Sequence, residues 1–186
     1  RIGDDMILLI LGLAFWAGAH FWKRLAPAHR AGFGERGKMI VAIGSVVGVV
    51  LMIIGYRAAQ GPIYWGRTPA LAGINNLIMI LTFYLFAASG SKARITRYIR
   101  HPQLTAVMMW AVAHLLVNGD LPSFILFGGM LVWASSEIQL INRAQPEWVP
   151  GPVVPVKKEI TALIATVVVF ALVAGVHSAL GYNPFG

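Results

Sequence analysis

Five histidines carry most of the chemistry this sequence can offer, and four of them lie in or beside long apolar runs. An ionisable group inside a membrane-length apolar segment is destabilising, so its default reading is functional. His20 stands just before Lys23 and Arg24, and His101 opens an apolar run. His114 lies about 20 Å further along that run at helical rise. His177 falls near the end of the last run, whereas His29 sits in a basic loop and reads as solvated. By depth the four sort into an inner pair, His20 and His101, and an outer pair, His114 and His177. Asn118 lies one helical turn beyond His114 on the same face. Asp120, Asn75 and Asn76 fall on the same side, as do Arg57 and Arg67. Two facing imidazoles with arginines nearby for two carboxylates suit a b-type haem, since imidazole is a usual axial ligand. The competing reading is that each histidine only hydrogen-bonds a neighbouring helix.

The segments that must position these residues are set by hydropathy. Of 186 residues 58% are hydrophobic and 12% charged, against about a quarter charged in a soluble domain; the mean hydropathy is +0.71. Six runs approach the roughly 20 residues that cross a hydrocarbon core, at about 6–22, 38–56, 70–88, 102–118, 122–141 and 159–179. Backbone amides cannot go unpaired in lipid, so the runs read as helices. The expected fold is all-α, a single polytopic domain over 1–186 with six transmembrane helices. Pro102 suits a first helical position, Asn118-Gly119-Asp120 a turn, and Pro122 reopens the chain, so the fourth and fifth runs form a tight hairpin.

Charge orients the bundle. Lys23, Arg24, Arg30, Arg36, Lys38, Lys92, Arg94, Arg97, Arg100, Arg143, Lys157 and Lys158 fall on one side, and only Arg1, Arg57 and Arg67 on the other. The positive-inside rule makes the first side cytoplasmic and puts both termini on the non-cytoplasmic side. A net charge of +8 distributed in this way points to a lipid bilayer as partner and away from nucleic acid. Met6 reads as a native start, with Arg1 to Asp5 a remnant of processing or expression. The first run reads as a retained helix, with no small-residue cleavage site after it.

Other chemistries find little support. Cys is absent, which removes disulfides, thiol nucleophiles and cysteine metal sites. Zinc is disfavoured by the lack of H-E-x-x-H and by sparse carboxylates. Glu137 is expected near the inner surface, paired with a basic loop residue. Gly44 and Gly48 have the GxxxG spacing of a close helix seam, and no internal repeat is evident.

Arg100-His101-Pro102, then Trp110-Ala-Val-Ala-His114-Leu-Leu-Val-Asn118-Gly119-Asp120, resembles the NnrU family. Leu126-Phe-Gly-Gly129, Trp133-Ala134, Gly34-Glu-Arg-Gly37, the first helix ending in His20 and the closing His177-Ser-Ala-Leu-Gly-Tyr-Asn-Pro extend the likeness over most of the chain. The resemblance implies a multi-pass protein of the bacterial inner (plasma) membrane, associated with nitrite and nitric oxide reduction in denitrification. Through the related 15-cis-zeta-carotene isomerase it implies a b-type haem, with ligands carried over onto His20 and His114. It also implies a redox-dependent cis-trans isomerase or other redox enzyme, acting on a hydrophobic small molecule or with a membrane redox partner. The isomerase's cysteine near the second ligand has no counterpart here. Depth pairs His114 with His177, the resemblance pairs it with His20, and both name His114.

Arg100, His101 and Pro102 also resemble the Arg-His-Pro-x-Tyr-x-Gly motif of small membrane methyltransferases that use S-adenosylmethionine on isoprenylcysteine, phospholipids or thiols. Leu104 and Ala106 replace the Tyr and Gly, and the paired glutamates of that family are missing. A third class is a non-enzymatic haem sensor or an assembly partner for respiratory reductases.

Overall fold

A computed structural model describes residues 3–185; Arg1, counted among the outer basic residues, lies outside them. Each apolar run forms a helix, and all but the fourth, which ends one residue short, extend slightly past the expected bounds: α1 (Asp4–Leu25), α3 (Gly34–Ala58), α4 (Pro69–Ser91), α5 (Pro102–Val117), α6 (Leu121–Ala144) and α7 (Val156–Ala179), with a short α2 (Pro27–Gly32) between the first two. Proline occupies the first turn of α4 and α5, where its missing N–H leaves no bond unmade. Five of these helices are long and apolar enough to cross a membrane, and the chain is a membrane protein on that ground. The exception is α5, apolar but only 16 residues long, or about 24 Å at 1.5 Å per residue. Pro102 and the Asn118-Gly119 turn bound it on either side.

The helices form an arc. Their neighbour order is α3, α1, α6, α5, α4, α7, and the end helices α3 and α7 share no packed interface. The tightest contact is the α1–α3 seam. A Cβ added at Gly12 would lie 2.6 Å from the Met52 amide nitrogen, and one at Gly48 2.8 Å from that of Trp16. Only glycine admits backbones this close. The Gly44–Gly48 spacing thus marks a packing seam, completed by Gly12 and Gly55. Met6, Leu9, Met52, Met130, Trp133 and Ala134 form one buried cluster between α1, α3 and α6; Ala88, Ala93 and Ala162 form another where α4 meets α7. Large apolar side chains such as Val46 and Ile53 on α3 and Val167 and Leu172 on α7 stay exposed. Such faces suit contact with hydrocarbon.

Departing from an all-helical expectation, β1 (Ile63–Trp65) pairs antiparallel with β2 (Gly119–Asp120). The loop after α3 carries Ile-Tyr-Trp, residue types that favour extended backbone, and lies across the α5–α6 turn. The Leu121 amide donates to the Pro62 carbonyl at 3.1 Å, and the Trp65 indole donates to the Leu115 carbonyl at 3.0 Å. Gly119 is required beneath it, since a Cβ there would lie 2.5 Å from the Trp65 ring. The opposite end of the bundle is tied by polar contacts. Arg24 Nε donates to Glu137 Oε2 at 2.9 Å, and Arg97 Nε to the Gly151 carbonyl at 2.9 Å. Tyr84 hydrogen-bonds Glu159.

Candidate functional site

Inside the arc runs a cavity of about 1990 Å³, larger than the roughly 300–1,000 Å³ of an ordinary small-ligand pocket. His20, His101, His114 and His177, carried on three separate helices or their termini, all line it. Three of them share one local arrangement. The Nδ1 atoms of His20, His114 and His177 each lie 2.8 Å from the carbonyl oxygen four residues earlier, those of Trp16, Trp110 and Val173. A carbonyl can only accept, so Nδ1 must carry the proton and the neutral ring keeps its lone pair on Nε2. None of the three bonds a neighbouring helix among the described residues. The reading of these histidines as interhelical hydrogen-bonding groups therefore does not hold for them. Their bonds are local, and Nε2 is left without a partner.

Aromatic rings fix the imidazoles from the side. His20 lies 4.3 Å from the Trp16 ring and 5.1 Å from Trp133. His114 stacks on Phe127 at 4.8 Å with Trp110 at 5.2 Å. Phe127 sits in a single π-helical turn of α6, Phe124–Gly128, and such turns recur at functional sites. A further signal in the chain matches this geometry. Trp-Ala-x-Ala-His occurs twice, as Trp16–His20 and Trp110–His114, and each copy folds into the same Trp-carbonyl-to-imidazole unit. An expectation of no internal repeat overlooks this pentapeptide.

His177 lines the same cavity as His114, on α7 across α4 from α5. His20 is set apart by depth. It faces Trp133, six residues along α6 from the Phe127 that holds His114, or about 9 Å of helical rise. His101 is engaged elsewhere, its Nε2 2.8 Å from Asn142 Oδ1, while Arg100 hydrogen-bonds the Gln145 and Pro146 carbonyls. With Pro102 starting α5, the Arg100-His101-Pro102 segment thereby fastens α5 to the end of α6.

The outer polar residues also line the cavity, with different duties. Asn118 Nδ2 donates to the His114 carbonyl at 2.9 Å. Asp120 caps the start of α6, accepting from the Ser123 amide at 2.9 Å and hydroxyl at 3.0 Å, and Ser123 meets the Tyr56 hydroxyl at 2.9 Å. Asn75 donates to Asn76, which donates to the Pro184 carbonyl, and Arg67 donates to the Asn183 carbonyl at 2.5 Å. The last residues thus fold over this end. Arg57 makes no hydrogen bond or ion pair within the described chain, and its charge stays available to a ligand.

Among the described residues no group of three or more His, Cys, Asp or Glu could hold a bare metal ion. A haem needs only axial ligands from the protein. Imidazoles with unpartnered Nε2 on one largely apolar cavity, with the Arg57 charge at its outer end, are a donor set of the kind that group takes.

The model of the family described as NnrU protein matches residues 8–184. The chain belongs to the NnrU family. No curated protein and no solved structure matches it. In this NnrU-family chain the match runs from the first helix to the closing tail, and so includes all four cavity histidines.

Proposed function

We propose that this NnrU-family protein is a six-span haem protein of the bacterial inner membrane, with both termini on the non-cytoplasmic side. His114 and His177 would hold its iron through Nε2, and His20 is the alternative partner that the family resemblance suggests. The observation that carries the reading is the shared state of these imidazoles, each with Nδ1 bound to its own helix and Nε2 directed to no protein partner. Metal-bound histidines characteristically have their second nitrogen fixed in this way. Arg57 and Arg67 would neutralise the propionates at the outer end. Bound haem would supply redox-active iron. Met79, Phe83, Phe86 and Phe170 would hold a lipophilic substrate against it, which favours redox-dependent isomerisation of a hydrophobic molecule over turnover of a small inorganic ion.

The visible spectrum of detergent-purified protein from haem-replete cells tests this. A Soret band with sharp reduced α and β bands is expected, and His114→Ala should lower haem content about tenfold or more. A preparation that stays colourless after haem addition overturns the proposal.

A further inference from the structure

The cavity's basic end takes no part in the haem reading. Lys23, Arg24, Arg30, Lys38 and Arg100 line it there. The carboxylate among them, Glu137, is buried and already paired with Arg24, and Lys38 meets the exposed Glu35 on the rim. Arg30 donates to the Gly34 carbonyl and Arg100 to those of Gln145 and Pro146. A carbonyl satisfies a donor without cancelling its charge. Lys23 makes no hydrogen bond or ion pair at all within the described chain. The rim is therefore strongly cationic, with donors to spare.

Behind this rim the lining turns apolar, with Val49 and Ile53 of α3 on one side and Phe83 of α4 with Phe170 and Ala174 of α7 on the other. Because α3 and α7 share no packed interface, this wall is open between them, and Val49 and Ile53 are exposed. A cationic mouth continuous with an apolar cleft is complementary to an amphiphile with an anionic head. We infer that the mouth binds the phosphate headgroup of an anionic phospholipid, with an acyl chain lying in the cleft between α3 and α7. Phosphate suits these residues because guanidinium and ammonium donors make short charge-assisted hydrogen bonds to its oxygens. The inference does not rest on haem, whose content is read separately by absorbance.

Basic residues on a cytoplasmic face attract anionic lipid wherever they lie, so the test must separate a site from a charged surface. Native mass spectrometry of the full chain from micelles doped with phosphatidylglycerol and phosphatidylcholine does so. One phosphatidylglycerol should be retained per chain, preferred about tenfold over phosphatidylcholine. The double variant Lys23→Gln, Lys38→Gln should bring that preference near parity. Lys157→Gln with Lys158→Gln removes equal charge from exposed positions outside the cavity and should leave the preference intact. Equal loss in both double variants, or no preference in the wild type, overturns the site. Displacement by excess soluble glycerol 3-phosphate would show that a free phosphate compound is the ligand and would overturn the lipid assignment. Ala174→Trp, with folding checked by thermal unfolding, should weaken lipid retention by filling the cleft; undiminished retention would remove the acyl chain from it.

Discussion

At His114 and His177 one hydrogen bond apiece sets the chemistry available, because a proton held on Nδ1 leaves Nε2 as the only lone pair. At this scale the two ligand assignments separate. With haem on His114 and His177, His177→Ala should convert a six-coordinate low-spin spectrum to a high-spin one, while His20→Ala should leave it low-spin. The opposite result would assign the second ligand to His20 in absorption or resonance Raman spectra. Glu137 offers a different test. Its carboxylate is buried and bonded to Arg24, whose side chain is 32% exposed. Removing one partner of a fully buried pair costs about 3–5 kcal/mol, and partial exposure of Arg24 lowers that here to about 2–3 kcal/mol. Glu137→Ala should show this as a lower unfolding midpoint in detergent.

Among the elements, the α1–α3 pair depends on close backbone approach more than any other. Gly48→Leu would force side-chain atoms into the space held by the Trp16 amide and the Gly12 carbonyl. Overpacking of this kind costs about 1–3 kcal/mol or more, and a contact with backbone has no flexible neighbour to yield. A lowered thermal midpoint is expected, with haem content reduced in step because Trp16 and His20 ride on α1. Gly18→Leu, where an added Cβ meets nothing within 4 Å, should leave both unchanged. The π-helical turn belongs at this scale too. It aims Phe127 at His114 while the rest of α6 keeps Trp133 and Glu137 against α1.

For the whole molecule, orientation is the property to test, and a chain without cysteine makes this simple. Single cysteines at exposed positions report their side to a membrane-impermeant thiol reagent. Gln60→Cys, in the loop after α3, should be labelled from the periplasmic side. Lys158→Cys, at the start of α7, should be labelled only after the membrane is opened. Labelling of Lys158→Cys in intact spheroplasts would invert the proposed topology. An arc closed on one side and open between α3 and α7 also accounts for a cavity that is apolar along its length and charged at both ends.

Membrane residence, the helices and their near-correct bounds were all legible in the sequence, because hydropathy and proline placement act locally and need no tertiary partner. The Gly44–Gly48 seam was legible for the same reason. An ion pair for Glu137 was expected with a loop residue and instead forms with Arg24 in the last turn of α1, a pairing that only helix packing decides. The antiparallel ladder was not legible, since β1 and β2 meet only when two distant turns are brought together. Nor was the division of labour among Asn118, Asp120, Asn75, Asn76, Arg57 and Arg67, which depends on which backbone groups each side chain reaches. Counting rise along separate helices placed His114 and His177 at one depth. Only the packing of α5 and α7 against α4 put their rings around one cavity, because depth fixes one coordinate of a side chain and helix packing fixes the other two.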